Sequence, residues 1–136
     1  HPPRTLRPLL RSLILRAMPC VFCTNLSEAG TLLGEDEHTW TLLHPAGQVM
    51  VVARRHVENV SDLDLEEWLH VAAVWHRVER ELRETTGAAR VIVMKLGIQT
   101  PHLHVHLYPF DAETTREEVF AVIDGKASLR LTLAAP

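Results

Sequence analysis

The sequence predicts an α+β fold, a mostly antiparallel meander sheet with one long and one short helix. Two observations carry this reading. Short β-type runs come in hairpin-like pairs, each pair divided by a break containing Pro and Gly. Each pair is followed by a stretch of helical period, so the order is hairpin, helix, hairpin, helix, and strands are expected beside their chain neighbours. A chain of 136 residues is one domain's worth.

Thr39–Leu43 (TWTLL) is the first strand, broken by His44-Pro45-Ala46-Gly47, and Gln48–Ala53 (QVMVVA) is the second. Arg54-Arg55-His56 leads into a turn. Ser61 followed by Asp64 resembles a capping box with Asp in place of Glu. Leu65, Trp68, Leu69, Ala72, Trp75, Val78 and Leu82 then form the apolar stripe of a long helix that Gly87 ends. Arg90–Leu96 (RVIVMKL) is a strand and Gly97-Ile98-Gln99-Thr100-Pro101 a turn. His102–Tyr108 (HLHVHLY) is the next strand, stopped by Pro109. Thr114 and Thr115 cap a short helix over Arg116–Ile123, ending at Gly125. Leu129, Leu131 and Leu133 alternate as a last small strand.

Composition narrows the function classes. Apolar residues make up 46% and charged residues 23%, with a net charge of −3, which excludes a disordered chain and offers no field for a nucleic acid polymer. No apolar run has the length of a membrane span, so no membrane partner is expected and the expected location is cytoplasmic. Residues 1–17 differ from the rest: they carry Arg4, Arg7, Arg11 and Arg16, and the first acid is Glu28. They read as a basic extension, either helical or loosely ordered or else an organelle transit peptide, ahead of a single domain over 18–136.

Two groups of residues carry chemistry. His102, His104 and His106 alternate on a strand, which puts three imidazoles on one face at steps of roughly 7 Å and turns Leu103, Val105 and Leu107 to the other. Such a row either binds a metal jointly or presents one nucleophile with its neighbours as orienters; imidazole suits the second role because it attacks phosphorus while neutral and leaves once protonated. The chain has two cysteines, Cys20 and Cys23, at the spacing of a zinc clip. A redox pair would call for a βαβ context that the element order lacks. Trp40, Trp68 and Trp75 read as core or interface anchors, Arg54 and Arg55 as a solvated strand end or a phosphate-steering pair, and His38, His70 and His76 as surface residues.

PHLHVHLYP, taken with CVFC and RRHVENV, resembles the histidine triad (HIT) family, whose signature is His-φ-His-φ-His-φ-φ with φ apolar. VMVVARRHVENV resembles the family's strand, basic turn and His ahead of the long helix, and LGIQTPHLH a variant of its approach to the triad. The resemblance runs from about Cys20 to about Phe110. It implies a HIT-like fold, a nucleotide as substrate and a homodimer. It implies His104 as the nucleophile at the α-phosphorus of a nucleoside phosphate, forming a nucleotidyl-histidine intermediate, with His106 orienting it or contacting the phosphate. Gly97, Gln99 and Thr100 would hold phosphate oxygens. The zinc-bearing branch of the family implies Cys20, Cys23, His56 and His102 as a structural Zn2+ site.

The chain departs from the family pattern at four places. The loop before the triad is one residue shorter. Gln48 stands where His is common, Phe110 where Arg is common after the Pro, and His44 where an acid is common. Two functions follow: a nucleotide hydrolase or nucleotidyl transferase acting on linkages such as dinucleoside polyphosphates or nucleoside phosphoramidates, or a zinc-stabilised nucleotide-binding or interaction module with little turnover.

Overall fold

Five strands form one sheet. The computed structural model describes residues 20–133; the basic extension over 1–17 lies outside the described residues. Two single-turn helices, α1 (Val21–Thr24) and α2 (Leu26–Ala29), lead into β1 (Thr31–Glu35), β2 (Thr39–Leu43) and β3 (Val49–Ala53). A 3-10 turn (Val60–Asp62) precedes the long helix α3 (Leu65–Thr86), which is followed by β4 (Arg90–Met94), β5 (His104–Phe110) and the short helix α4 (Arg116–Ile123). The spatial order is β1-β2-β3-β5-β4, with every neighbouring pair antiparallel. The sheet is a meander through β3, after which α3 carries the chain to the far edge and β5 returns to fill the gap.

The expected α+β class, the hairpin and both helices are present. Asp64 caps α3, accepting from the Glu67 amide, while Glu67 reaches back to the Asp64 amide; Ser61 lies in the preceding 3-10 turn. Gly87 closes the helix at φ 75°, a left-handed conformation that favours glycine. The buried stripe of α3 is Val71, Val74, Val78 and Leu82. Trp68 and Trp75 pack partly against it, while the expected stripe members Leu65 and Leu69 are exposed. A three-four spacing fits two adjacent stripes, and packing on the sheet selects the valine side.

Several boundaries differ from expectation: β3 begins at Val49 rather than Gln48, and β4 ends at Met94 rather than Leu96. β1 has no clear alternation in TLLGE; it forms as an edge strand with a bulge between Leu32 and Gly34. Gly30 allows its entry, since a Cβ there would stand 2.5 Å from the Leu43 carbonyl oxygen. β5 starts at His104 and passes through Pro109 rather than stopping at it. The Phe110 carbonyl accepts from Ala89 on the β4 side, so alternation turns the missing N–H of Pro109 toward β3, whose register ends at Val49 opposite Leu107. Residues 129–133 form no strand. Arg130 is tied to Asp111 at 2.8 Å and Leu133 packs on the main core, which lays this segment across the end of the sheet.

The sheet's two faces are built differently. Val49, Val51, Ala53, Val105 and Leu107 join Val71, Val74, Val78 and Leu82 of α3 in the main core. On the other face, Met50, Val52 and Leu42 pack with Cys20 and Phe22 in a smaller cluster. Register places Val52 opposite His104 and Met50 opposite His106, so the histidines share this second face.

Candidate functional site

Strand alternation carries a row of rings along the second face of β5. His104 and His106 have ring centroids 5.0 Å apart, His106 and Tyr108 6.0 Å, and Tyr108 and Phe110 6.5 Å. Beside the first of these lies a groove of about 850 Å³. Its walls include His104, His106, Gln48 and His44, the turn residues Gly97, Gln99 and Thr100, and apolar side chains such as Phe22, Met50 and Leu96. Gly97 turns the chain at φ 62°, Gln99 is exposed on the groove's rim, and Thr100 accepts from the His102 amide at 2.8 Å. The only charged side chain of the wall among the described residues is Glu28.

The protonation state of His104 follows from its partners. Its Nδ1 lies 2.6 Å from the His102 carbonyl oxygen. A carbonyl accepts and cannot donate, so Nδ1 carries the hydrogen and the lone pair of a neutral ring sits on Nε2. Burial holds this imidazole below the ordinary histidine range, the hydrogen bond to His102 works against that, and the charge of Lys95 adds to the lowering. His106 is pushed down to about 4, first by burial and then by His104 and His44. Its Nδ1 faces Gln48 Nε2 at 3.4 Å. The face thus offers neutral imidazoles at neutral pH.

His102 belongs to the row in sequence and to a different cluster in space. It precedes β5, with its amide on Thr100 and its neighbour Leu103 bonded to Val57 and Ala53. Its imidazole Nε2 donates to the Ala53 carbonyl, which leaves Nδ1 as an acceptor. That atom stands 3.4 Å from Cys20 Sγ, 3.5 Å from Cys23 Sγ and 3.0 Å from His56 Nδ1, and Cys23 Sγ lies 3.3 Å from His56 Nδ1. All four donor atoms fall within 4.8 Å of one another. On a tetrahedron with bonds of about 2.0–2.3 Å, donors stand roughly 3.3–3.8 Å apart. The donor set therefore fits a four-coordinate metal ion. Burial and the neighbouring Cys20 push the Cys23 thiol up to about 11, so two adjacent thiolates call for a cation between them. The Ala53 carbonyl is the outer partner that orients the His102 ring.

Each predicted site residue thus falls into one of two neighbouring assemblies. His104, His106, Gly97, Gln99 and Thr100 line the groove. Cys20, Cys23, His56 and His102 form the metal-type cluster. Arg54 and Arg55 lie elsewhere: Arg54 bonds the Asp36 carbonyl and covers Trp40, and Arg55 pairs with Glu67 at 3.1 Å. No tryptophan lines the groove.

Sequence reasoning missed two parts of the site. Phe22, inside the Cys pair, is buried with its ring 5.3 Å from His102 and 4.9 Å from His104, joining the two assemblies. An aromatic residue between two clip cysteines was the available signal. The groove's far wall comes from Val122, Ile123 and Leu129. Nothing local marks them, because Thr132 against Gly47 and Arg130 against Asp111 bring that segment back.

Comparison with known proteins adds a family and a set of folds. Residues 28–113 match the HIT domain. A histidine triad protein from Bradyrhizobium japonicum superposes with a TM-score of 0.60 at 24% identity, over 68% of this chain and 72% of that one. A hypothetical histidine triad nucleotide-binding protein from Sulfolobus tokodaii gives a TM-score of 0.60 at 21% identity, over 77% and 87%. A HIT family hydrolase from Clostridium thermocellum gives 0.53 at 22% identity, over 71% and 95%. No curated protein sequence matches the chain. Among the described residues no helix is long and apolar enough to cross a membrane.

Proposed function

The chain belongs to the HIT family, and on that premise we propose that it is a nucleotide hydrolase or nucleotidyl transferase acting at the α-phosphate of a nucleoside phosphate. The observation that carries this reading is the 2.6 Å bond from His104 Nδ1 to the His102 carbonyl, which leaves Nε2 as a lone-pair nitrogen on a groove-lining ring. In the proposed reaction Nε2 attacks the α-phosphorus. An N–P bond forms, the bond from phosphorus to the leaving group breaks with its electron pair on that group, and the leaving group takes up a proton from solvent water. The Nδ1–H stays on the His102 carbonyl and steadies the positive charge that develops on the ring. Water or another acceptor then cleaves the N–P bond and frees His104.

The groove suits a nucleotide. His106 sits beside the nucleophile, within reach of the phosphoryl group, and the Gly97–Thr100 turn offers Gln99 and backbone N–H groups for phosphate oxygens. The apolar wall of Phe22, Met50 and Leu96 gives a base a place to pack. Cys20, Cys23, His56 and His102 would hold Zn2+, the ion that two thiolates and two imidazoles suit. With four protein ligands such an ion cross-links the chain and leaves no open position for substrate. A homodimer has an available edge: β4 ends the sheet, and its outer side pairs with no described strand.

A panel of dinucleoside polyphosphates and nucleoside phosphoramidates, followed by product chromatography, tests the activity. Release of a nucleoside monophosphate from at least one linkage is expected. Tight binding of nucleoside monophosphate with no release from any member supports the second reading, a metal-stabilised nucleotide-binding module. One observation favours that reading: among the described residues the wall itself holds no Lys or Arg, so the direct contacts it offers a phosphate come from neutral donors.

A further inference from the structure

Gln48 is buried at 5% exposure on the strand face that carries His104 and His106. Its Nε2 lies 3.4 Å from His106 Nδ1 and 3.5 Å from the Tyr108 hydroxyl oxygen. Its Oε1 is buried with no hydrogen-bond partner among the described residues. The orientation of the amide decides where His106 carries its hydrogen. As placed, both N–H groups of Gln48 find acceptors and one oxygen is stranded. With the amide reversed, Oε1 would gain two donors and both N–H groups would be stranded instead. Leaving two buried donors unmet costs more than leaving one acceptor unmet. Hydrogen-bond counting therefore favours Gln48 as the donor and His106 Nδ1 as the acceptor.

We propose that Gln48 is a positioning residue that holds neutral His106 as the Nε2–H tautomer, so that it presents an N–H donor beside the lone pair of the nucleophile. The two rings are then set in opposite tautomers by different partners. The His102 carbonyl draws the hydrogen of His104 to Nδ1, and the Gln48 amide drives that of His106 to Nε2. One ring attacks phosphorus while the other donates to a phosphoryl oxygen. A ring with a low proton affinity still has one N–H to give, and its direction is what Gln48 supplies. Tyr108 supports the arrangement by accepting the second amide hydrogen.

The kinetic part of this inference rests on the proposed function; the tautomer does not. Long-range 1H–15N correlation spectra of the full chain at pH 7 are expected to show His106 protonated at Nε2 and unprotonated at Nδ1. In Gln48→Glu a carboxylate acceptor faces Nδ1, so the hydrogen is expected to move there and kcat to fall roughly tenfold or more, with KM changing less. Gln48→His restores an N–H donor and is expected to keep the Nε2–H tautomer and bring kcat back to within about threefold. Wild-type His106 protonated at Nδ1 overturns the proposal, as does a folded Gln48→Glu whose His106 spectrum is unchanged. If Gln48→Glu does not fold, the wild-type and Gln48→His spectra decide the matter. Absence of turnover in every protein counts against the enzyme reading, and the wild-type spectrum still decides the tautomer.

Discussion

The two faces of the sheet share strands and differ in almost everything else. On β5, Val105 and Leu107 point into a core closed by α3, while His104 and His106 point to the groove one residue away on either side. The first face is apolar apart from Thr39 and Thr41 of β2, which lie opposite Ala53 and Val51. The second keeps neutral imidazoles, an amide and a phenol in contact with one another and carries an unmet amide oxygen. Strand periodicity lets one segment serve both purposes, because a change on one face leaves the other in place. Stability is expected to concentrate on the helix side and chemistry on the groove side.

The strongest way to break that division is a pair of substitutions on β5. His104→Ala is expected to lower turnover at least about a thousandfold, with a melting temperature that moves only a few degrees. Leu107→Ala, at a position with no exposure, is expected to cost about 2–5 kcal/mol in denaturant unfolding. Its folded fraction should retain kcat within about threefold. Equal loss of stability in both variants would erase the distinction. Next in size is the metal cluster, where the second face borrows stability. Cys20→Ser is expected to lower zinc content and melting temperature together. Through Phe22, which touches both His102 and His104, some loss of rate should accompany it. Elemental analysis of protein never exposed to chelator gives the base value, and a zinc-to-chain ratio near zero would sink the site.

Smaller effects sharpen the groove side. Gln99→Ala is expected to slow turnover or weaken phosphate binding by roughly tenfold, and Thr100→Ala by less; unchanged rates in both would assign the phosphate to backbone N–H groups alone. The mildest prediction concerns pH. His106 has a folded value of about 4, below the ordinary histidine value near 6.5. The unfolded chain therefore binds more protons between those limits, so this residue's stabilising contribution is complete above about pH 6.5 and is lost as pH falls toward 4. Unfolding curves at several pH values measure it, and Gln48→His with Leu107→Ala as the control shows which face is responsible.

Much of this was legible because the signals are local. Alternation alone placed His104 and His106 together and opposed them to Val105 and Leu107. The Cys-x-x-Cys spacing marked two ligands, and resemblance supplied His56 and His102. What escaped depends on distant partners. β1 has little pattern of its own and forms against β2. Pro109 reads as a stop until the end of β3 shows that its missing N–H has no partner to lose. Leu65 and Leu69 fit the helical stripe and are exposed, because the side of α3 that packs on the sheet is the one carrying Val71, Val74, Val78 and Leu82. The wall from Val122 to Leu129 exists because Asp111 holds Arg130, a contact of 19 residues' separation that no window of sequence contains.

The central claim is that the groove face performs covalent chemistry at His104, and the most direct test is to trap the intermediate. The protein is mixed with its best substrate from the panel, quenched in alkali within the first turnover, and digested for peptide mass mapping. A nucleoside monophosphate adduct on the peptide carrying His104, absent from His104→Ala, is the predicted result. Turnover without any adduct, or an adduct on another residue, would contradict the account.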